Sequence, residues 1–272
     1  MRLLRRHPVV VVVSILTLLF MWLPLAVVLI NSLNADALLV GWGGFTLKWF
    51  AEAFGDDQVR EAVVTSLEVG ILTAVLSLVV AVTGVLWWRH ASRRARRAFE
   101  ALVYARLVLP EVVFATALFL VFTRSGIIEL GLWTTVLGHT VWASAFATVI
   151  LQARARLLDR AVEEAAADLG CSPIGVFFRV TLRGLLPGIL AAGVLAFTLS
   201  FDDVVTSYFL NGPRLTTLPL LVLGLIRFQV TPEVNAIGAL VALTMIGSTL
   251  LVLWLLGASG RRSDSVARRL GY

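Results

Sequence analysis

EAAADLG, residues 164–170, lies within a polar stretch, 152–184, that carries Arg154, Arg156, Arg160, Arg179 and Arg183. Apolar runs bound it on both sides, 134–151 before it and 185–208 after it. A spanning helix needs about 20 mostly apolar residues, and a charged loop held between two such runs indicates a chain that crosses lipid more than once. Within the loop, Val162, Ala165, Ala166 and Leu169 recur at helical spacing. They form one narrow apolar stripe on a short helix, with Glu163, Glu164 and Asp168 elsewhere on its circumference. Gly170 suits a left-handed C-cap, and Ser172 followed by Pro173 suits the N-cap and first position of a second helix. The loop therefore reads as helix, sharp turn, and a helix leading into the next span. A stripe of small residues admits close approach by another surface, and it equally suits an amphipathic helix lying on headgroups. The pattern alone leaves both readings open.

Outward from the loop, the rest of the chain is as apolar as its flanks. Of the 272 residues, 59% are hydrophobic, and the mean hydropathy is +0.92. That is more than a soluble core of this length needs. Six stretches reach membrane length: 9–30, 63–88, 99–122, 134–151, 185–208 and 236–256. The third is interrupted by Arg106 and Glu111. No long alternating pattern suggests a barrel, and backbone groups in lipid must bond within their own segment, so the fold class is all-α integral membrane.

Most of the 23 Lys and Arg residues gather on one side of this topology. They stand at Arg2, Arg5 and Arg6, between 89 and 106, between 154 and 183, and at the C-terminus, while Asp36, Glu52, Asp56, Asp57, Glu61, Glu129 and Glu233 mark the other side. Cationic loops stay in the cytoplasm, so both termini are expected there. The pI of about 10.6 suggests nucleic acid at first sight, but Arg93, Arg94, Arg96 and Arg97 sit between spans, where topology and anionic headgroups account for them better. No nucleic-acid partner is expected. The first apolar run lacks a clean small-residue cleavage site and reads as an uncleaved span. Cys171 is the only cysteine and the three histidines are far apart, so neither a disulfide nor a metal site is expected. His139 reads as a helix-to-helix hydrogen bonder. With no GxxxxGK[ST] loop and no GxSxG, the chain is not expected to be an enzyme, nor to bind a cofactor itself.

Glu164, Ala165, Ala166 and Gly170 match the EAA-x-x-x-G loop of the permeases of binding-protein-dependent ABC importers, at the expected place before the penultimate span. The stretches LSFDDVVTSYFLNGP (199–213), LPL (218–220), TPEVNA (231–236), GFTLKW (44–49) and LPEVV (109–113) resemble the second permease of spermidine/putrescine importers. The resemblance implies the type I importer fold with six transmembrane helices in a single domain. It also implies a place in the bacterial inner membrane, and a coupling helix formed by Glu164, Ala165, Ala166, Leu169 and Gly170 that docks into a cytoplasmic ATPase. The implied partners are a second permease subunit, two ATPase subunits that bind ATP and Mg, an extracytoplasmic substrate-binding protein, and lipid. Two positions depart from the pattern: Arg183 stands where a proline is usual, with Pro187 available to take over the bend, and Pro173 stands where the polyamine branch often has an acid.

A polyamine is a flexible polycation, so its path needs carboxylates and aromatic faces. The resemblance carries Trp49, Glu111, Ser200, Asp202 and Asp203 onto that path. In a straight span starting near Phe99, Glu111 is roughly 18 Å deep, near the midplane, where a charge faces the bundle interior or pairs with Arg106 as a structural group. Asp202 and Asp203 either line the path or are solvated at the interface. Successive helical residues differ by about 100°, so unless the helix breaks only one of the two points straight inward. Trp49 suits a cation-π platform at the outer mouth or an ordinary interfacial belt. Aminophosphonate, ferric iron and sugar importers would keep the EAA loop without needing these acids, and a secondary transporter would have no use for the loop.

Overall fold

The computed structural model describes residues 8–269, with side chains over 9–251 and at Trp254. Arg2, Arg5 and Arg6 lie outside the described residues, as do the side chains of Arg261, Arg262, Arg268 and Arg269. The described residues form helices α1 (Pro8–Ser32), α2 (Lys48–Gly55), α3 (Asp57–His90), α4 (Arg93–Val108), α5 (Glu111–Ser125), α6 (Leu132–Ala155), α7 (Arg160–Asp168), α8 (Pro173–Val176), α9 (Leu182–Phe201), α10 (Val205–Leu210), α11 (Leu218–Ile226) and α12 (Pro232–Arg269). A π-helical turn, Phe177–Thr181, joins α8 to α9. Among the described residues the only sheet-like pairing is one isolated bridge between Asn34 and Phe45.

Among the described residues five helices are long and apolar enough to span, over Val9–Ser32, Asp57–His90, Leu132–Ala155, Pro173–Phe201 and Pro232–Leu251. The bent pair α4 and α5 would bring the total to six. That pair differs from the single straight span expected over 99–122: the two helices meet at 102°. Pro110 causes the break, because its ring has no N–H to donate and forces Leu109 out of helical geometry to φ −62°, ψ 129°. The depth inferred for Glu111 presupposed an unbroken helix and does not hold; Glu111 opens α5 instead. The fifth span also differs from its expected extent of 185–208. Its helix begins at Pro173, well before Leu185, and stops at Phe201, where the Asp203 carboxylate captures the N–H groups of Thr206 at 2.7 Å and Ser207 at 3.4 Å and starts α10 afresh.

The chain divides into two compact units. One comprises the described residues of Met1–Glu61 with Leu221–Leu243, and the other those of Ala62–Leu220 and Thr244–Tyr272. In the first, α1 exposes apolar side chains all round from Val9 to Leu23, a surface suited to lipid. The second is built on α6 against α9. Ala147, Leu151 and Ala155 of α6 pack with Leu185 and Ala192 of α9 and Ala81 and Val85 of α3. Small residues are what let membrane helices approach closely: a Cβ at Gly188 would sit 2.9 Å from Arg154 Cβ, and one at Gly184 would sit 2.6 Å from Leu158 Cδ2.

Candidate functional site

The two helix breaks of the second unit bring their polar residues together. Glu111 stands in the first turn of α5, where the helix dipole favours a carboxylate, and accepts a hydrogen bond from Thr206 Oγ1 of α10 at 3.3 Å. Its carboxyl also lies within electrostatic reach of that of Asp203. Asp203 is 5% exposed. One oxygen caps α10, and the other, Oδ2, has no hydrogen-bond partner. From α6, fully buried His139 closes the cluster: its Nδ1 lies 2.8 Å from Ser200 Oγ, and its Nε2 lies 3.2 Å from Ser207 Oγ and 3.7 Å from Asp203 Oδ2. Arg106 of α4 lies within electrostatic reach of both carboxyls.

Of the expected path residues, Glu111, Ser200 and Asp203 therefore meet in one cluster, with Ser200 and Asp203 buried and Glu111 half-buried. Asp202 does not join it, because it leaves the end of α9 on the exposed side. Trp49 belongs to the first unit. There its indole N–H donates to the Asn34 carbonyl at 2.7 Å, and Lys48 already lies 4.9 Å from the ring centroid. His139, Thr206 and Ser207 were not singled out from sequence as site residues. Their one visible signal was a polar side chain inside an apolar run, and His139 read there only as a bond between helices. Ionisable groups gathered at the ends of interrupted helices mark binding sites in transport proteins. Here two carboxyls with one free acceptor oxygen suit a cationic donor. Among the described residues no group of three or more His, Cys, Asp or Glu side chains is arranged to hold a metal ion.

At the other end of the same unit stands α7, with the expected local chemistry. Asp159 caps its start by accepting from Ala161 N–H at 2.9 Å. Gly170, at φ +85°, ends it in a Schellman turn in which Cys171 N–H bonds Ala166 O and Gly170 N–H bonds Ala167 O. Ser172 then caps α8, with Pro173 at its first turn. Glu164, Ala165 and Leu169 are exposed, Leu169 at 87%, and Ala166 is half-buried, so the apolar stripe has little cover from its own chain.

The opposite side of α7 holds the anchor that sequence reasoning missed. Glu163 accepts from both guanidinium nitrogens of Arg89 at 2.7 and 3.1 Å and from Thr181 Oγ1 at 2.6 Å. Burial raises its carboxyl, but the Arg89 and Thr181 hydrogen bonds and the Arg89 charge outweigh it and hold the group below its ordinary 4.5. Arg96 and Arg160 donate to the Arg89 carbonyl, and Arg96 also to that of Trp88, so these arginines satisfy the last carbonyls of α3. Part of the cationic cluster assigned to headgroups is thus capping chemistry.

Residues 73–265 match the family model described as the binding-protein-dependent transport system inner membrane component. The chain is 34% identical over 263 residues to the putrescine transport system permease protein PotI of Escherichia coli K12, covering 94% of this chain and 93% of that protein. It is 31% identical over 222 residues to the spermidine/putrescine transport system permease protein PotC of Haemophilus influenzae, covering 81% and 86%. The backbone is similar to a chain in the crystal structure of a bacterial ABC transporter involved in the import of the acidic polysaccharide alginate. The TM-score is 0.70 at 15% identity, over 96% of this chain and 98% of that one, which is a likeness of fold.

Proposed function

We propose that this chain, which belongs to the family of binding-protein-dependent transport system inner membrane components, is the permease subunit of an ATP-driven importer of polyamines such as putrescine and spermidine. It is a multi-pass protein of the bacterial inner membrane with the type I importer permease fold, and a transport subunit rather than an enzyme. One observation carries the substrate class: the neighbouring carboxyls of half-buried Glu111 and buried Asp203, with Asp203 Oδ2 lacking a hydrogen-bond partner. A passing ammonium group supplies the donor. The polyamine names of the two curated relatives support the same reading.

In this proposal Trp49 and the exposed Asp202 belong to the cation's path, and the cation exchanges water for the carboxyls of Glu111 and Asp203, with Ser200 holding His139 in place. The uncovered stripe of α7, with Glu164, Ala165, Ala166, Leu169 and Gly170, docks into an ATPase subunit on the side where both termini lie. A second permease, two ATPases that bind ATP and Mg, and an extracytoplasmic binding protein complete the complex. Closure of the ATPases on ATP moves α7, and the Glu163–Arg89 anchor transmits that motion to the end of α3. The test is uptake of radiolabelled putrescine and spermidine into vesicles holding the complete complex, with and without ATP, for the parent and Glu111→Gln. ATP-dependent uptake lost in the variant supports the reading. Polyamine uptake without ATP, or none beside ATPase activity stimulated by the binding protein, rejects it.

A further inference from the structure

Between α1 and α2 the chain turns apolar side chains outward and polar ones onto itself. Leu38, Val40, Trp42, Phe45 and Leu47 are each between 58% and 85% exposed. One exposed leucine needs no explanation, but a run of large apolar side chains on one short loop marks a surface that another phase or partner covers. The polar groups serve the loop's own backbone. Asn34, 4% exposed, accepts at Oδ1 from the N–H groups of Asp36 at 3.1 Å and Gly43 at 2.8 Å, and its Nδ2 donates to the Gly41 carbonyl at 2.6 Å. The Asp36 carboxylate accepts from the N–H groups of Leu38, Val40 and Gly41 at 3.0, 2.9 and 3.1 Å. Ala35 and Thr46 N–H close the base on the carbonyls of Gly44 and Leu33. Leu39 is held at φ +54°, a conformation that a leucine keeps only where its surroundings impose it.

A loop in water can leave its backbone groups to the solvent, whereas a loop that enters lipid must satisfy them internally. Asp36 is the one ionisable residue between 33 and 47, and three N–H donors share its charge. The neighbouring helix says what covers the apolar tip. The 25 residues of α1 make a helix roughly 37 Å long, against about 30 Å of hydrocarbon, so its end emerges among the headgroups and the loop starts there. Val27 and Ile30 carry the exposed apolar surface of α1 up to that point. Trp42 adds the aromatic that favours this layer.

We propose that residues 38–47 are an interfacial anchor, a rigid loop whose apolar tip dips into the leaflet where α1 ends and is covered there by phospholipid acyl chains. The anchor is independent of which solute the protein carries. Trp49 hangs from the same loop, its indole N–H on the Asn34 carbonyl, so the depth of the anchor fixes the height of that ring in the membrane.

The test is spin-label depth in the complete complex, held in vesicles of phosphatidylethanolamine and phosphatidylglycerol. Cys171→Ser with cysteine-free partners gives the background, and Val40→Cys or Phe45→Cys carries the label. At either site collisions with oxygen, which concentrates in lipid, should exceed those with a water-soluble nickel chelate several-fold. Val40→Asp with the label at Phe45 should reverse that ratio, because a carboxylate at the tip is driven out of lipid. A label dominated by the chelate places the loop in water and overturns the proposal. So does a label shielded from both reagents, since a protein surface then covers the patch. Shielding lost when the binding protein is omitted assigns the loop to that partner, and shielding that persists assigns it to the second permease. Where Val40→Cys does not assemble, the Phe45 label decides alone, and an unchanged ratio on adding Val40→Asp counts against the anchor.

Discussion

Asp202 and Asp203 are adjacent in sequence and differ in everything that burial controls. Asp203 is 5% exposed, caps α10 and lies within electrostatic reach of Glu111, whereas Asp202 faces outward. Asp203→Asn keeps an oxygen for the Thr206 and Ser207 N–H groups and removes the charge, so folding is retained. Uptake should fall about 10- to 100-fold, the worth of one charge-assisted hydrogen bond, with a smaller loss for Asp202→Asn in the same vesicles. Equal losses would reject the division of roles. The pair was legible as a candidate, but the divergence of neighbours by about 100° holds only along an unbroken helix, and this one ends at Phe201. Which of the two turns inward followed from the break after Phe201, a long-range consequence of Asp203 capping a helix that packs on α5 and α6.

The segment 159–173 was legible almost in full, because its design is local. Asp159, Gly170, Ser172 and Pro173 act on backbone groups a few residues away. Gly170→Ala puts a side chain at φ +85° with nothing within 4 Å to clash. The cost is therefore conformational strain alone, about 1 kcal/mol. The expected result is roughly fivefold weaker assembly with the ATPase in a pull-down titration, and less loss for Gly170→Asn, which tolerates the left-handed region. Glu163 was not legible as an anchor, since Arg89 lies on a different helix, far along the chain. Its depressed pKa means that its contribution is complete above 4.5 and is lost as pH falls through the lower folded value. Thermal unfolding in detergent should therefore show the parent losing stability relative to Glu163→Gln only below about pH 4.5. At pH 7 the variant should be weaker by about 1–3 kcal/mol.

The second unit holds together through close contacts that leave no slack at the site. A Cβ at Gly138 of α6 would fall 2.3 Å from Leu210 Cδ1 and 2.9 Å from Thr206 Cγ2. Gly138→Ala should thus push α10 away, pull Thr206 from Glu111, and cost about 1–3 kcal/mol, read as a melting temperature lower by a few degrees together with reduced uptake. By itself the sequence determined the membrane class, the six apolar stretches and the helix–turn–helix of the 152–184 loop. Composition and capping are read over neighbouring residues, where the chain carries its own evidence. Only the tertiary structure decided that the third stretch is two helices meeting at 102°, that the fifth ends at Phe201, and that half-buried Glu111 shares one cluster with buried His139 and Asp203. A spanning helix is apolar on every face, so it has no polar side from which to read what points inward. That choice passes to the few polar residues and to which helices pack around them.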